Sequence, residues 1–472
     1  MDIMWQCAKD NSACGGHARR HRMRKYDVVV VGGSAAGVSA AITARRHNPD
    51  KTILLIRKEA RAVIPCGIPY IFGTLGSAEK NLISDEILSK NGIDLLIREV
   101  TAIDRDARTI TTAEKENVGY QRLVLATGSS PIIPPVLGVE KEDVFAISKD
   151  ASYLNQVLNV IDKASDLVIV GGGFIGCEVA EECRKRRKDL NITIVEMLRH
   201  CLQAVYDEEF CERAEEILRK EGISILANEK ADAFLGDGGV ERVKLTSGRE
   251  IKADVVIMGI GTRANIELAE GAGLHIGPTK GIQVNRYMQT SDQNIFACGD
   301  CTEKVSFFDG KPSSLKLASI SAMEARIVGA NLFSTRRVNV GAIGVYSTIL
   351  GNTTLAAAGL TKSEARRRGY AFAVGESESV NRHPGSMPGA DHLKVTLIFE
   401  RGSRVILGGQ VIGATSGGEL INAVSACIHQ RMTADDIATF QMGTHPALTA
   451  SPISYQLVNA AENAIGNMSS SQ

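Results

Sequence analysis

The segment Ile64-Pro65-Cys66-Gly67-Ile68-Pro69-Tyr70 sets a cysteine between a proline and a glycine. Those neighbours hold the thiol on a loop or at a helix start, where backbone N–H groups can stabilise a thiolate. A cysteine that only fills a core sits inside an apolar run, and this one does not. No second cysteine lies within six residues; the next along the chain is Cys177.

Two glycine turns supply the second kind of chemistry. Gly171-Gly172-Gly173-Phe174-Ile175-Gly176 is a full G-x-G-x-x-G between a strand pattern and a helix pattern. Gly171 permits the tight turn, Gly173 lets backbone approach a pyrophosphate, and Gly176 lets the helix pack close to the strand. The helix start then offers free N–H groups to phosphate. Glu196 ends the next strand, at the distance expected of a carboxylate that accepts both ribose hydroxyls. An acid there favours NADH, because a 2′-phosphate would meet like charge, while Arg199 keeps NADPH as the weaker option. The earlier turn reads Gly32-Gly33-Ser34-Ala35-Ala36-Gly37, with serine at the middle glycine. Its following strand ends in Arg57 and Lys58 rather than an acid. Phosphate binding is still expected there, against a purely structural βα connection.

These groups need elements to hold them. Tyr26 to Val31, the turn, and a helix from Val38 to His47 are followed by a strand from Thr52 to Ile56. The same order recurs at Leu167 to Val170, the second turn, a helix to about Arg187 and the strand Ile192 to Val195. Two βαβ units about 140 residues apart indicate two dinucleotide domains. From about residue 340 the pattern turns to short strands (Val395 to Phe399, Val405 to Val411) and helices from Glu419 and Thr433, an α+β domain. The expected fold class is therefore α/β, with two Rossmann-like domains and a C-terminal α+β domain. A length of 472 residues agrees, at about three domains.

Lysine plus arginine and aspartate plus glutamate balance at 54 each, so no global field favours nucleic acid or an anionic membrane. The basic runs Arg184 to Lys188 and Arg366 to Arg368 read as solvated helix ends. No apolar run reaches the ~18 residues of a membrane span. Ten cysteines are too sparse for a disulfide scaffold, and reduced thiols in the cytoplasm fit better. Residues 1–24 read as an extension. Their Cys7, Cys14, His17 and His21 have a histidine spacing that suits zinc and a cysteine spacing that does not, so no metal site is expected.

With these features in order along the chain, the sequence resembles the FAD-dependent pyridine nucleotide-disulfide oxidoreductases from about residue 25 to the C-terminus. The nearest likeness is to the branch of coenzyme A-disulfide reductases, NADH oxidases and coenzyme A persulfide or polysulfide reductases. Gly32 to Gly37 looks like the FAD turn of that branch. Leu125-Ala126-Thr127-Gly128-Ser129 resembles the A-T-G hinge closing the FAD domain, and residues 255–265, with Gly261, resemble the segment closing the NAD domain. Phe296-Ala297-Cys298-Gly299-Asp300 resembles the second FAD motif, whose aspartate binds the ribityl chain; the resemblance assigns that role to Asp300. Cys298 and Cys301 form a C-x-x-C around it, for which packing is expected rather than redox work. The resemblance implies an FAD domain over 25–145 and 280–338, an NAD(P)H domain over 146–279 and a homodimer-forming domain over 339–472.

Cys66-Gly67-x-Pro69-Tyr70 matches the single redox cysteine motif of that branch. The C-x4-C dithiol of glutathione-reductase-like enzymes is absent, so Cys66 must pair with something external: a mixed disulfide with a small thiol, a persulfide or a sulfenic acid. The implied cycle passes hydride from NADH to FAD and two electrons on to the sulfur at Cys66. Arg57, Lys58 and Arg61 either grip coenzyme A phosphates or lower the cysteine pKa. Where coenzyme A-disulfide reductases carry a C-terminal tyrosine, this chain has Thr444-His445-Pro446. A His-Pro there resembles the dithiol branch, whose histidine crosses the dimer and protonates the leaving thiol; the alternative for His445 is a local cap before proline. The departure argues against coenzyme A disulfide itself and leaves persulfides, polysulfides and oxygen. The leading expectation is an NAD(P)H-dependent reductase of a sulfur–sulfur bond. The alternatives are an oxygen-reducing NADH oxidase and an NAD-linked electron-transfer subunit in which Cys66 is dispensable.

Overall fold

The computed structural model describes residues 23–469, so the Cys7, Cys14, His17 and His21 string lies outside the described residues. Strand β1 (Arg24–Val31) buries four consecutive valines, Val28 to Val31. A strand covered on both faces reads as a continuous apolar run, and its neighbours β2 (Ile53–Arg57) and Asn117–Leu125 both run parallel to it. Asp94–Ile97 extends the sheet beyond β2, and antiparallel Thr109–Thr112 and Val100–Asp104 extend it the other way. Ile295–Ala297 also joins Asn117–Leu125 in parallel, so the chain returns to this sheet after building another. Helix α1 (Ala35–His47) connects β1 to β2 and packs against the helix Ala318–Asn331.

The intervening sheet is wholly parallel, in the order Ile223–Ala227, Asn191–Glu196, Asp166–Val170, Val255–Met258, Val144–Ala146. The C-terminal part is a five-stranded antiparallel sheet in the order Val345–Leu350, Thr353–Gly359, Ile406–Gly413, His392–Glu400, Phe372–Val380. Helices Gly417–His429 and Gln456–Ser469 share its core. Among the described residues no helix is long and apolar enough to cross a membrane. Elements start or end one to three residues from the positions expected from sequence, because ladder and helix bonds continue past the apolar runs; α1, for example, begins at Ala35 rather than Val38.

The helix Phe174–Arg186, which begins at the second glycine turn, is where the three parts meet. The Thr348 hydroxyl of the antiparallel sheet donates to Glu178 (2.7 Å), and the Gly351 N–H donates to Glu181 (2.8 Å). The Thr74 N–H, eight residues beyond Cys66, donates to Glu182 (2.6 Å). Lys185 lies 2.9 Å from both Glu181 and Glu182, offsetting charge that would otherwise be costly to bury. Nor is the first basic helix end simply solvated: Arg184 is buried and donates to the Lys188 and Gly222 carbonyls.

Candidate active site

Both glycine turns have the backbone their role needs. Gly32 and Gly171 take φ of +120° and +106°, the region that favours glycine. Their partners Gly37 and Gly176 press against the Gly32 and Gly171 carbonyls, where a Cβ would collide. Neither helix start is closed by a side chain: the Ser34 hydroxyl makes no cap bond, and Gly173 has none to make. The first-turn N–H groups are therefore uncapped by side chains and could hold a phosphate. A Cβ built on Gly173 meets no atom within 4 Å, so it would stand in the open cradle itself. Gly173→Ala is accordingly expected to raise the Kd for NADH about tenfold, some 1.4 kcal/mol, while leaving the melting temperature unchanged. Calorimetric titration and a melting curve on the same sample check both halves.

Glu196 is buried at the end of its strand, and its two oxygens accept the Gly172 (2.6 Å) and Leu198 (2.7 Å) N–H groups. One lone-pair direction per oxygen is left for a ribose. Arg199 is exposed but pairs with Glu208 at 2.9 Å. By strand register Arg57 is the first unit's counterpart of Glu196, each following the residue opposite the strand end, Ile56 and Val195.

Asp300 sits at the junction of the two nucleotide domains. It accepts from Ser129 Oγ (2.8 Å) and Ser321 Oγ (3.2 Å), with Lys149 Nζ at 3.7 Å. The adjoining Ala126-Thr127-Gly128 hinge is stitched to Asn265: the Thr127 hydroxyl donates to the Asn265 carbonyl (2.8 Å), and the Asn265 side chain donates back to the Thr127 carbonyl (2.9 Å). Antiparallel pairing of Ser129–Pro131 with Thr262–Ala264 brings the Gly261 segment beside this hinge. Cys298 and Cys301 are fully buried, and the Cys301 thiol donates to the Cys298 and Leu125 carbonyls.

Cys66 lies in a single 3₁₀ turn, Pro65–Gly67, followed by the short helix Ile68–Ile71. It is the one exposed cysteine among the described residues. Asn81, which sequence reasoning missed, clamps the turn: its side chain donates to the Ile64 carbonyl (2.9 Å), and its carbonyl accepts the Ile64 N–H (2.9 Å). Although Cys66 reaches solvent, the surrounding protein desolvates the sulfur and raises its pKa, and the carboxylates Glu178 and Asp300 add to the rise. Lys149 and the cysteine's own N–H pull the other way and are outweighed.

Arg57 is already engaged, which corrects the expectation that it grips a phosphate or lowers the Cys66 pKa. It is buried, held bidentate by Asp85 (2.6 and 2.8 Å), and donates to the Glu59 and Ala60 carbonyls. Only Lys58 and Arg61 of that basic trio remain exposed, with Glu99 at 3.9 Å and Glu79 at 3.5 Å.

Glu178 is the functional candidate that the sequence did not announce. Burial, first, and then Glu181 and Glu182 push its carboxyl up to about 7 from 4.5, against the Thr348 hydrogen bond. A carboxyl with a raised folded pKa favours folding while protonated. Its contribution is complete below pH 4.5 and is lost as pH climbs to about 7. Glu178→Gln keeps the acceptor for Thr348 and removes this loss. The variant should gain about 2.5 kcal/mol over the parent between pH 5 and pH 8, read from urea midpoints at both.

His445 is exposed in the loop between the short helix Ala434–Ala438 and the helix Gln456–Ser469. Its Nδ1 accepts the Ala447 N–H (3.2 Å), which places the proton of the neutral ring on Nε2. No hydrogen bond joins it to Cys66 within one chain among the described residues. Ligand atoms of His200, Glu208 and Glu212 approach within 4.8 Å of one another, but Arg199 already occupies Glu208.

The chain matches the family described as pyridine nucleotide-disulphide oxidoreductase over residues 26–325 and that family's dimerisation domain over residues 345–453. It is 30% identical over 453 residues to an NADH oxidase of Methanocaldococcus jannaschii, covering 93% of this chain and 99% of that one. It is 31% identical over 397 residues to the NAD(P)H coenzyme A polysulfide/persulfide reductase of Pyrococcus horikoshii, covering 83% and 88%. The solved NAD-dependent persulfide reductase from A. fulgidus superposes with a TM-score of 0.86 at 29% identity, covering 94% of this chain and 84% of that one.

Proposed function

Because the chain belongs to the pyridine nucleotide-disulphide oxidoreductase family, we propose that it reduces the sulfur–sulfur bond of a small persulfide, polysulfide or disulfide through Cys66. The chain is an oxidoreductase using FAD and NAD(P)H, and it carries a dimerisation domain. The Gly32 to Gly37 turn and Asp300 would hold FAD, which when bound would supply two-electron chemistry between the nicotinamide and the acceptor. The observation that carries the sulfur reading is the solitude of Cys66. It is exposed, and the other cysteines among the described residues are buried, so its sulfur partner must arrive from outside.

Each nearby group then has a task. Asn81 fixes the turn so that the sulfur holds one direction. A carboxyl titrating near 7 suits Glu178 to hold the proton that Cys66 must give up, because the two negative charges oppose each other. Lys149, between Asp300 and the hinge, offers the countercharge. Lys58 and Arg61 are the cations left to meet the phosphates of a coenzyme A-type substrate. NADH is favoured over NADPH, since Glu208 engages Arg199. His445, with Nε2–H free, is the acid that a partner subunit of a homodimer would supply.

An oxidase reading has its own support in the NADH oxidase relative, with Cys66 cycling through sulfenic acid. Initial rates of NADH loss separate the two readings. Rates that rise with coenzyme A persulfide in the absence of air, with one sulfide released per NADH, are expected of the reductase. Rates that need oxygen and ignore the persulfide would defeat it.

A further inference from the structure

Two cysteines that the reaction leaves aside lie directly beneath the second glycine turn. Cys177 is in the first turn of the helix Phe174–Arg186, and Cys201 is in the loop after the strand Asn191–Glu196; both are shielded from solvent. They flank one peptide. The Cys177 thiol donates to the Gly172 carbonyl at 3.4 Å, and Cys201 Sγ lies 2.6 Å from where a Cβ on Gly172 would stand. Both sulfurs therefore lie against the Gly172 peptide. The Gly172 carbonyl accepts the Leu202 N–H as well (2.8 Å), and the Gly172 N–H donates to Glu196 (2.6 Å). The dithiol thus sits in the bonding frame that orients the turn. The C-x-x-C pair differs, since the Cys301 thiol faces the Cys298 carbonyl.

We infer that Cys177 and Cys201 form a reversible disulfide that weakens the hold of this turn on the nicotinamide nucleotide. The inference rests on the reading that the second glycine turn binds NAD(P)H. The oxidant is a low-molecular-weight disulfide. Its S–S bond and the two protein S–H bonds break, one protein S–S bond forms, and two small thiols leave with the two protons. The protein thiols lose two electrons and the small disulfide gains them. Access comes through the loop after Glu196, whose residues Met197 and Leu198 are exposed. Oxidation removes the S–H donor from the Gly172 carbonyl. It also draws Cys201, and with it the Leu202 N–H on the same carbonyl, toward the helix. The turn that aims the first-turn N–H groups is displaced from both sides.

The test uses full-length, flavin-loaded protein in a Cys66→Ser background, so that oxidation at Cys66 does not intrude. After incubation with cystamine, peptide mapping should recover a Cys177–Cys201 link. Calorimetry should show the Kd for NADH raised about tenfold, an ordinary coupling between sites, and restored by dithiothreitol. C177A and C201A, either sufficing if the other misfolds, should lose the response. Absence of the link, a link without a change in Kd, or a rise in Kd that survives in the alanine variants would overturn the inference. Failure of the reduced protein to bind NADH would instead sink the reading of the turn.

Discussion

Cys66→Ser lowers kcat for a persulfide or disulfide acceptor by about a thousandfold, roughly 4 kcal/mol of barrier. A serine hydroxyl keeps the size and the turn, but it forms no sulfur–sulfur bond and stores no electrons. Among the described residues no other thiol can stand in. Cys298 and Cys301 are fully buried, with pKa values raised by that burial, and Cys177 and Cys201 are buried against Gly172. An anaerobic NADH titration followed by flavin absorbance gives an independent readout. The parent should take up about two equivalents per flavin and the serine variant about one, since flavin and cysteine each hold an electron pair. A single equivalent in oxidised parent protein would make Cys66 a bystander and favour an electron-transfer role.

The parts of this site that are legible in the sequence are those that demand a particular backbone. Gly32, Gly37, Gly171 and Gly176 stand where a Cβ would strike a carbonyl, so their spacing is a direct trace of geometry. Repetition of the βαβ unit made the two nucleotide domains legible in the same way. Glu178, Glu181 and Glu182 left no such trace. Together with Lys185 they make an i, i+3, i+4, i+7 stripe that in isolation reads as a solvated face. They point inward only because two other parts of the chain close over the helix, which local pattern does not encode. Arg57 failed for the same reason in reverse. A cation near a reactive thiol invites a functional role, yet Asp85, 28 residues on, claims it. Asn81 was invisible because a clamp on a distant carbonyl needs only one amide, a residue type common in loops.

Lys304→Met carries the largest expected effect on stability. The ammonium is buried and donates to the Gly299 carbonyl (2.5 Å), the Thr302 carbonyl (3.1 Å) and the Thr302 hydroxyl (2.6 Å), with Glu324 at 3.1 Å. Glu324 is equally buried and accepts the Gly299 N–H (2.8 Å). Removing one member of such a pair leaves an uncompensated charge in low dielectric, which costs about 3–5 kcal/mol. Burial already raises the Glu324 pKa and Lys304 is the main group holding it down, so in the variant it rises further. A raised carboxyl favours the folded state only while protonated, so the deficit should shrink at pH 5.5 and widen at pH 8 in urea unfolding. K304M/E324Q should recover most of the loss, because the amide oxygen can still accept from Gly299 with no charge left to neutralise. The same loop carries Asp300, and the helix bearing Glu324 also carries Ser321. Flavin retention after gel filtration should therefore fall in the single variant and return in the double. An equal deficit of K304M relative to the parent at both pH values would mean that Glu324 keeps its protonation state when the lysine is removed, and that the lysine acts as a hydrogen-bond donor rather than as half of an ion pair.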